Sequence, residues 1–125
     1  MAKKYALIDK KQEQYLEKIW PGPVTVVLAG RNILPTEVAA GKDTIAIRLP
    51  KNELLGKIIS ELDAPLISTS LNYSGSKEVP GLDRLDEYFI VYQPDLVINA
   101  GPAKAVKASK LIDLTNINNI KILRD

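Results

Sequence analysis

Apolar residues recur at helical spacing in two parts of the chain. In residues 9–20 (DKKQEQYLEKIW), Leu16 and Ile19 belong to an apolar stripe, which indicates an amphipathic helix. Asp9 and Gln12 stand three positions apart at the start of this stretch, which is the spacing of a capping box. The Pro-Gly-Pro sequence that follows cannot continue a helix, so the helix is predicted to end there.

The second helical pattern covers residues 52–62 (NELLGKIISEL). Asn52 is a suitable N-cap, and the apolar residues after it fall on one face of the predicted helix. We expect this apolar face to cover a sheet. Its members are Leu54, Leu55, Ile58, Ile59 and Leu62.

Six short β-branched or apolar runs are typical of strands. They are VTVVL (24–28), TIAIRL (44–49), PLIST (65–69), DLVIN (95–99), KLIDL (110–114) and IKIL (120–123). The segments between them are predicted to be a loop with one helical turn (29–43), a polar loop (70–81) and a short helix (82–89). The alternation of strands and helices favours an α/β or α+β fold. Because the late strands follow one another without helical crossovers, we expect a mixed sheet in a single domain, residues 1–125.

The composition limits the chemistry that the chain can perform. It has 125 residues, no cysteine and no histidine, which excludes disulfides, zinc–thiolate sites and Ser-His-Asp catalysis. The 17 basic and 15 acidic residues are interleaved and give a net charge of +2, a mild bias that suits anionic ligands. No apolar run approaches the ~20 residues that span a bilayer, and the N-terminus lacks a signal-peptide core. We therefore predict a cytoplasmic protein that does not bind membranes.

Polar side chains gather where the predicted strands end. Arg48 and the stretches 68–72 and 99–101 follow strands, and Ser109 precedes one. Hydroxyl, amide and guanidinium groups together are suited to binding phosphate or carboxylate oxygens, and ligands of open α/β sheets bind at the carboxyl ends of strands. A second interpretation stays open here, because serine, threonine and asparagine are also ordinary turn formers.

Six segments of the chain resemble, in the same order, motifs of the YrdC-like family, the threonylcarbamoyl-AMP synthases. They are WPGPVTVVL, TIAIRLP, APLISTSLNYSG, DLVINAG, ASKLIDLT and IKILRD. Each segment alone is weak evidence, but their order and spacing across nearly the whole chain make the resemblance specific. It implies a twisted open mixed sheet with helices packed on it.

The resemblance also implies a nucleotidyltransferase activity, L-threonylcarbamoyladenylate synthesis. Such enzymes combine L-threonine, bicarbonate and ATP, with Mg²⁺, in the biosynthesis of threonylcarbamoyladenosine at position 37 of tRNA. The alternative is a shortened, non-catalytic relative that binds a nucleotide or double-stranded RNA. Under either hypothesis RNA, including tRNA, is a possible partner.

The matched positions imply two sets of ligand-binding residues. Ser70-Leu71-Asn72 resembles the family's Ser-x-Asn motif. The implied ATP-binding set is Thr44, Ser70, Asn72 and Arg124, and the implied threonine-binding set is Arg48, Ser68 and Ser109. Neither a catalytic side chain nor a protein ligand for a metal is identified.

The chain departs from the family's pattern at its start. The family's N-terminal portion, which carries a Lys-x-Arg pair, has no counterpart in these 125 residues. That pair supplies cations that neutralise the triphosphate. We therefore expect a fragment, one half of a split enzyme or a shortened paralogue, which either self-associates or binds a partner that supplies the missing part.

Overall fold

A computed structural model describes residues 1–72, 85, 89, 94–99, 101 and 108–125. The chain divides into two compact units, one made of Met1–Ile67 with Ala108–Asp125 and the other of Ser68–Lys107. Most of the predicted polar loop (70–81) and of the predicted helix (82–89) lies outside the described residues. That residues 1–125 act as a single domain stays a prediction.

The helices and strands whose bounds the structure describes all belong to the first unit. In chain order they are α1 (Ala2–Tyr5), α2 (Lys10–Ile19), β1 (Val24–Ala29), α3 (Thr36–Ala39), β2 (Thr44–Arg48), α4 (Glu53–Leu62), β3 (Lys110–Asp113) and β4 (Lys121–Arg124). The helices and strands predicted in this unit are confirmed, except for the run that starts at Pro65. The short helix α1 was not predicted, because its single turn is too short to show a period.

Side-chain caps explain where the two longer helices begin. The Asp9 carboxylate accepts a hydrogen bond from the Gln12 amide, and the Gln12 side chain accepts one from the Asp9 amide, both at 2.8 Å. This reciprocal pair is the predicted capping box. At the start of α4, the Asn52 side chain accepts a hydrogen bond from the Leu55 amide at 3.0 Å. Both predicted caps are confirmed.

The four strands form one mixed sheet in the order β2-β1-β3-β4. β1 is antiparallel to β2 and parallel to β3, and β3 is antiparallel to β4. A register shift between Leu111 and Ile112 interrupts the pairing of β3 with β4. The predicted mixed sheet with helices is confirmed, and β2 and β4 are the outer strands among those that the structure describes.

Two of the predicted strands are wrong. Residues 65–69 and 95–99 have no strand pairing in the structure. Their apolar side chains are largely exposed, with Ile67 at 78% and Leu96 at 77%. A short apolar run indicates a strand only when a neighbouring strand pairs with it and a core covers it, and the sequence pattern contains neither condition.

The buried core lies on one face of the sheet. Val26 and Leu28 point there from β1, and both are fully buried, as is Leu114, which follows β3. Leu16 of α2 and Ala6 of the N-terminal segment belong to the same cluster, so α2 and residues 1–8 cover this face. The remaining member of the cluster is Ile112. The alternation along β1 sends Thr25, Val27 and Ala29 to the opposite face.

The prediction that α4 covers the sheet is wrong for the described part of the chain. No residue of α4 is buried, and Leu54 and Leu62 are 49% and 57% exposed. None of its five apolar residues belongs to the core cluster or packs against it. An amphipathic pattern identifies the apolar face of a helix, but it does not identify the surface that this face meets.

Candidate functional site

The four strands each place one residue at the same end of the sheet, on the face opposite the core. Thr25 of β1 pairs with Arg48 of β2 and with Leu111 of β3, and Leu111 pairs with Arg124 of β4. Directly paired residues point to the same face of a sheet. Three strand spacings separate the two arginines, so their Cα atoms lie about 14 Å apart. We call these four residues the sheet-end row.

The turn that precedes β1 holds Arg48 in place. The Arg48 Nε donates a hydrogen bond to the Gly22 carbonyl oxygen at 3.2 Å, and the Gly22 amide donates to the Leu49 carbonyl oxygen at 2.9 Å. Gly22 is buried, and a Cβ at this position would lie 2.5 Å from the Ile19 carbonyl oxygen. The Pro-Gly-Pro sequence therefore does more than end α2, because it supplies the carbonyl group that orients Arg48.

Ser109 lies beside the row and is fixed by contacts with two of its members, Thr25 and Arg124. Its hydroxyl lies 2.9 Å from the Thr25 hydroxyl. Its carbonyl oxygen accepts hydrogen bonds from Nε and Nη2 of Arg124 at 3.0 and 2.8 Å, and the same Nη2 lies 3.3 Å from the Ser109 hydroxyl oxygen. The next amide, that of Lys110, donates to the Pro23 carbonyl oxygen at 3.0 Å. Ser109 is thus tied to β1, to β4 and to the turn before β1.

The row with Ser109 is suited to binding an anion that has several oxygens. Arg48 is exposed, and its two terminal nitrogens have no acceptor among the described residues. A guanidinium presents these nitrogens as a planar fork that matches a carboxylate or phosphate. Lys110 adds a third cation nearby, although its Nζ is paired with the Asp125 carboxylate at 3.2 Å.

The structure does not bring Thr44 to this end of the sheet. Thr44 pairs with Ala29, four residues along β1 from Thr25, so it lies about 13 Å from the row at the far end of the same face. It lines a separate cavity of about 210 Å³, together with Arg31 and Lys42. Thr44 and Arg124, both implied to bind ATP, occupy opposite corners of the face.

The remaining predicted residues belong to the second unit. Ser68 and Ser70 are exposed, Asn72 is half-buried, and the Asn72 amide donates a hydrogen bond to the Ser70 carbonyl oxygen at 3.1 Å. At 99–101, the Asn99 side chain accepts a hydrogen bond from the Gly101 amide at 2.8 Å, and Gly101 has a φ of +84°. Asn99 therefore has the turn-forming role that was left open for these polar residues.

Asp113 is the acidic residue on the site face of the sheet. The Thr115 hydroxyl donates to its carboxylate, as does the Thr115 amide at 2.9 Å, and these hydrogen bonds hold the pKa of Asp113 below its ordinary value. Asp113 pairs with Val27, two residues along β1 from Thr25, so its Cα lies about 7 Å from the row. It is therefore ionised at neutral pH.

Thr25 is a residue of the row that was not among the predicted site residues. A polar residue inside an otherwise apolar strand is the signal that identifies it, and Thr25 lies within one of the quoted segments, WPGPVTVVL. Its importance depends on its contact with Ser109, which is 84 positions away in the sequence. A contact between residues so far apart in the sequence depends on which strands are neighbours in the sheet, and the pattern of the sequence does not give that order.

The mixed four-stranded sheet with its helices defines the chain as an α/β domain. The family described as Sua5_yciO_yrdC, telomere recombination, matches residues 1–125. The chain belongs to this family.

The chain is similar to several named proteins over most of its length. It is 31% identical over 108 residues to the threonylcarbamoyl-AMP synthase of Pyrococcus abyssi, and the aligned region covers 86% of this chain and 32% of that protein. It is 34% identical over 120 residues to a putative threonylcarbamoyl-AMP synthase of Methanocaldococcus jannaschii, which covers 95% of this chain and 55% of the relative. The chain therefore spans between about a third and a little over half of these relatives.

Solved structures share the fold. The crystal structure of Pyrococcus abyssi Sua5 complexed with L-threonine superimposes with a TM-score of 0.80 at 30% identity, over 96% of this chain and 35% of that one. E. coli YciO gives a TM-score of 0.80 at 25% identity, over 99% of this chain and 60% of the other. None of the helices in the described ranges has the length and apolar character needed to span a bilayer.

Proposed function

We propose that the chain is an L-threonylcarbamoyladenylate synthase-type protein. It acts from L-threonine, bicarbonate and ATP in the biosynthesis of the threonylcarbamoyladenosine of tRNA. The observation that carries the proposal is the sheet-end row with Ser109, which places two guanidiniums and two hydroxyls together. The fold that carries this row is shared with a Sua5 whose structure contains L-threonine.

The row supports a specific role for Arg48. Its Nε is held by the Gly22 carbonyl oxygen, and its terminal nitrogens have no acceptor among the described residues. In the proposal these nitrogens bind the threonine carboxylate in a two-pronged, charge-assisted contact. Ser109 contributes a hydroxyl to the same ligand, either at its carboxylate or at the carbamate formed from bicarbonate. Ser68 is also proposed as a threonine-binding residue.

The chemistry requires positioning more than proton transfer by a side chain. Formation of the adenylate is an attack of the carbamate oxygen on the α-phosphate of ATP, which releases pyrophosphate. Holding the two substrates in line and neutralising their charge can supply most of the rate enhancement of such a step. A chain without histidine or cysteine is compatible with this kind of catalysis.

The nucleotide contacts are proposed at Thr44, Ser70, Asn72 and Arg124. Within the first unit, Thr44 and Arg124 are about 19 Å apart along the diagonal of the sheet face, so a nucleotide that touches both must lie across it. Among the described residues, no group of three acidic side chains fits a protein-held Mg²⁺. The Mg²⁺ would then be held chiefly by the ATP phosphates.

A pyrophosphate-release assay tests the proposed function. The chain is incubated with L-threonine, bicarbonate, ATP and Mg²⁺, with and without a polypeptide that carries the relatives' Lys-x-Arg portion. A second copy of the chain or such a polypeptide is the proposed partner. We expect release that requires all three substrates and falls at least tenfold in Arg48→Ala, because a charge-assisted contact contributes about 1.5–3 kcal/mol. The control is Lys57→Ala, which removes an exposed cation from α4.

Three outcomes bear on the proposal and its alternative. Pyrophosphate release in neither mixture, although L-threonine or ATP still binds, would favour the shortened, non-catalytic relative. This alternative is supported by the limited share of the relatives' length that the chain spans. Absence of pyrophosphate release together with absence of any binding, of L-threonine, ATP or RNA, would refute the two hypotheses together. Binding of double-stranded RNA or tRNA without nucleotide binding would support an RNA-binding relative instead.

A further inference from the structure

Thr25 and Arg124 both contact the Ser109 hydroxyl, and their chemistry restricts what that hydroxyl can do. A serine hydroxyl has one hydrogen to donate and two lone pairs that accept. A guanidinium has no atom that can accept a hydrogen bond, so Nη2 of Arg124, at 3.3 Å, can only donate to the Ser109 hydroxyl oxygen. The Thr25 hydroxyl lies 2.9 Å away and can donate or accept.

The other contacts of Arg124 settle its role at this place. Its Nε and Nη2 both donate to the Ser109 carbonyl oxygen, at 3.0 and 2.8 Å. The guanidinium thus grips the backbone of Ser109 and reaches its side chain with the same nitrogen. One lone pair of the hydroxyl oxygen is occupied by the Arg124 nitrogen, which leaves one lone pair and the hydroxyl hydrogen for other partners.

We propose that Thr25 is a positioning residue, which together with Arg124 fixes the Ser109 hydroxyl as a hydrogen-bond donor toward the bound anion. When Thr25 donates, both lone pairs of the Ser109 oxygen are filled, and its single hydrogen is directed at the ligand. The ligand atom that it meets is then an acceptor, a carboxylate or carbamate oxygen. The inference rests on the proposed function for the identity of this ligand.

The location of Thr25 suits this role. It lies on β1, a central strand of the sheet, between β2 and β3, and it is half-buried. A β-branched side chain in a strand has few rotamers, so its hydroxyl is held in one direction at little entropic cost. Thr25 is also paired directly with Arg48, so the residue that contacts the Ser109 hydroxyl lies beside the residue proposed to bind the carboxylate.

The first arm of the test uses the free protein and needs no ligand. Hydrogen-bonded hydroxyl protons exchange slowly enough at low temperature to be observed by NMR. We expect a protected Thr25 hydroxyl proton that is lost in Ser109→Ala. If the wild-type chain shows no protected proton at Thr25, the inference is overturned, whatever the chain binds.

The second arm measures L-threonine affinity by calorimetry in four variants. Thr25→Val keeps the shape and removes the hydroxyl, and we expect it to weaken binding about two- to tenfold, the worth of one hydrogen bond. Thr25→Ser restores the hydroxyl and should return binding to within about twofold of wild type. Ser109→Ala combined with Thr25→Val should bind no more weakly than Ser109→Ala alone, since Thr25 acts through Ser109.

A matched control and two contrary results complete the test. Thr36→Val makes the same chemical change on α3, away from the row, and should leave the affinity unchanged. Equal affinity of Thr25→Val and wild type would overturn the inference, as would fully additive losses in the double variant. Failure of the wild-type chain to bind L-threonine counts against the proposed function, while the NMR arm still decides whether Thr25 positions Ser109.

Discussion

The buried turn at Gly22 offers a quantitative test of how the site is built. A Cβ added there would lie 2.5 Å from the Ile19 carbonyl oxygen, a distance that real Cβ atoms essentially never show. The clashing atom is backbone, so it cannot turn aside as a flexible side chain would. To reach an ordinary contact, the turn or the end of α2 must move by roughly 0.5–1 Å in a close-packed region.

Gly22→Ala should therefore destabilise the chain. Overpacking of this kind costs about 1–3 kcal/mol. For a domain of this size, 1 kcal/mol corresponds to roughly 4 °C in the melting temperature. We expect the melting temperature to fall by about 4–12 °C, measured by circular dichroism during thermal unfolding. Urea unfolding should rank the stabilities of wild type and variants in the same order.

The same substitution should weaken ligand binding, because the displaced carbonyl oxygen is the acceptor for Arg48. Gly56→Ala is the matched control. It lies inside α4, where an added Cβ meets nothing within 4 Å, so it should stabilise the helix by about 0.5–1 kcal/mol. The reasoning would be refuted if Gly22→Ala melted at the wild-type temperature, or if Gly56→Ala lost as much stability as Gly22→Ala.

Three further predictions concern single side chains. Gln12→Met should cost about 1–3 kcal/mol in urea unfolding, because the buried Gln12 side chain donates to the Leu114 carbonyl oxygen at 2.7 Å and methionine leaves that oxygen without its donor. Asp113→Asn should lower the free energy of unfolding above about pH 4, where the carboxylate held by Thr115 is ionised in both the folded and the unfolded chain. This difference between variant and wild type should vanish as the pH falls through the lowered pKa of Asp113. A difference that persists at about pH 2 would contradict this prediction. Arg48→Lys should weaken L-threonine binding by about tenfold or more. Lysine lacks the guanidinium, so it has neither the Nε–H that donates to the Gly22 carbonyl oxygen nor the two parallel N–H groups that match a carboxylate. Wild-type affinity in this variant would contradict the proposed role.

The local signals in the sequence predicted the elements that depend on local chemistry. The capping box at Asp9 and the N-cap at Asn52 are formed as predicted, because each involves residues three apart. The predicted strands at 65–69 and 95–99 failed for the complementary reason. Pairing and burial are long-range conditions, and an apolar run carries no information about whether another strand is adjacent.

The location of the site shows which topological rule applies to this sheet. The rule for parallel sheets directs attention to the carboxyl ends of strands, and it identified Arg48, which ends β2. In this mixed sheet β2 and β4 run against β1 and β3, so the carboxyl ends of the first pair meet the amino ends of the second. Ser109 and Thr25 therefore join Arg48 and Arg124 although they stand at strand starts. The same antiparallel pairing puts Thr44, at the start of β2, at the far end, so a ligand confined to the sheet-end row does not reach it.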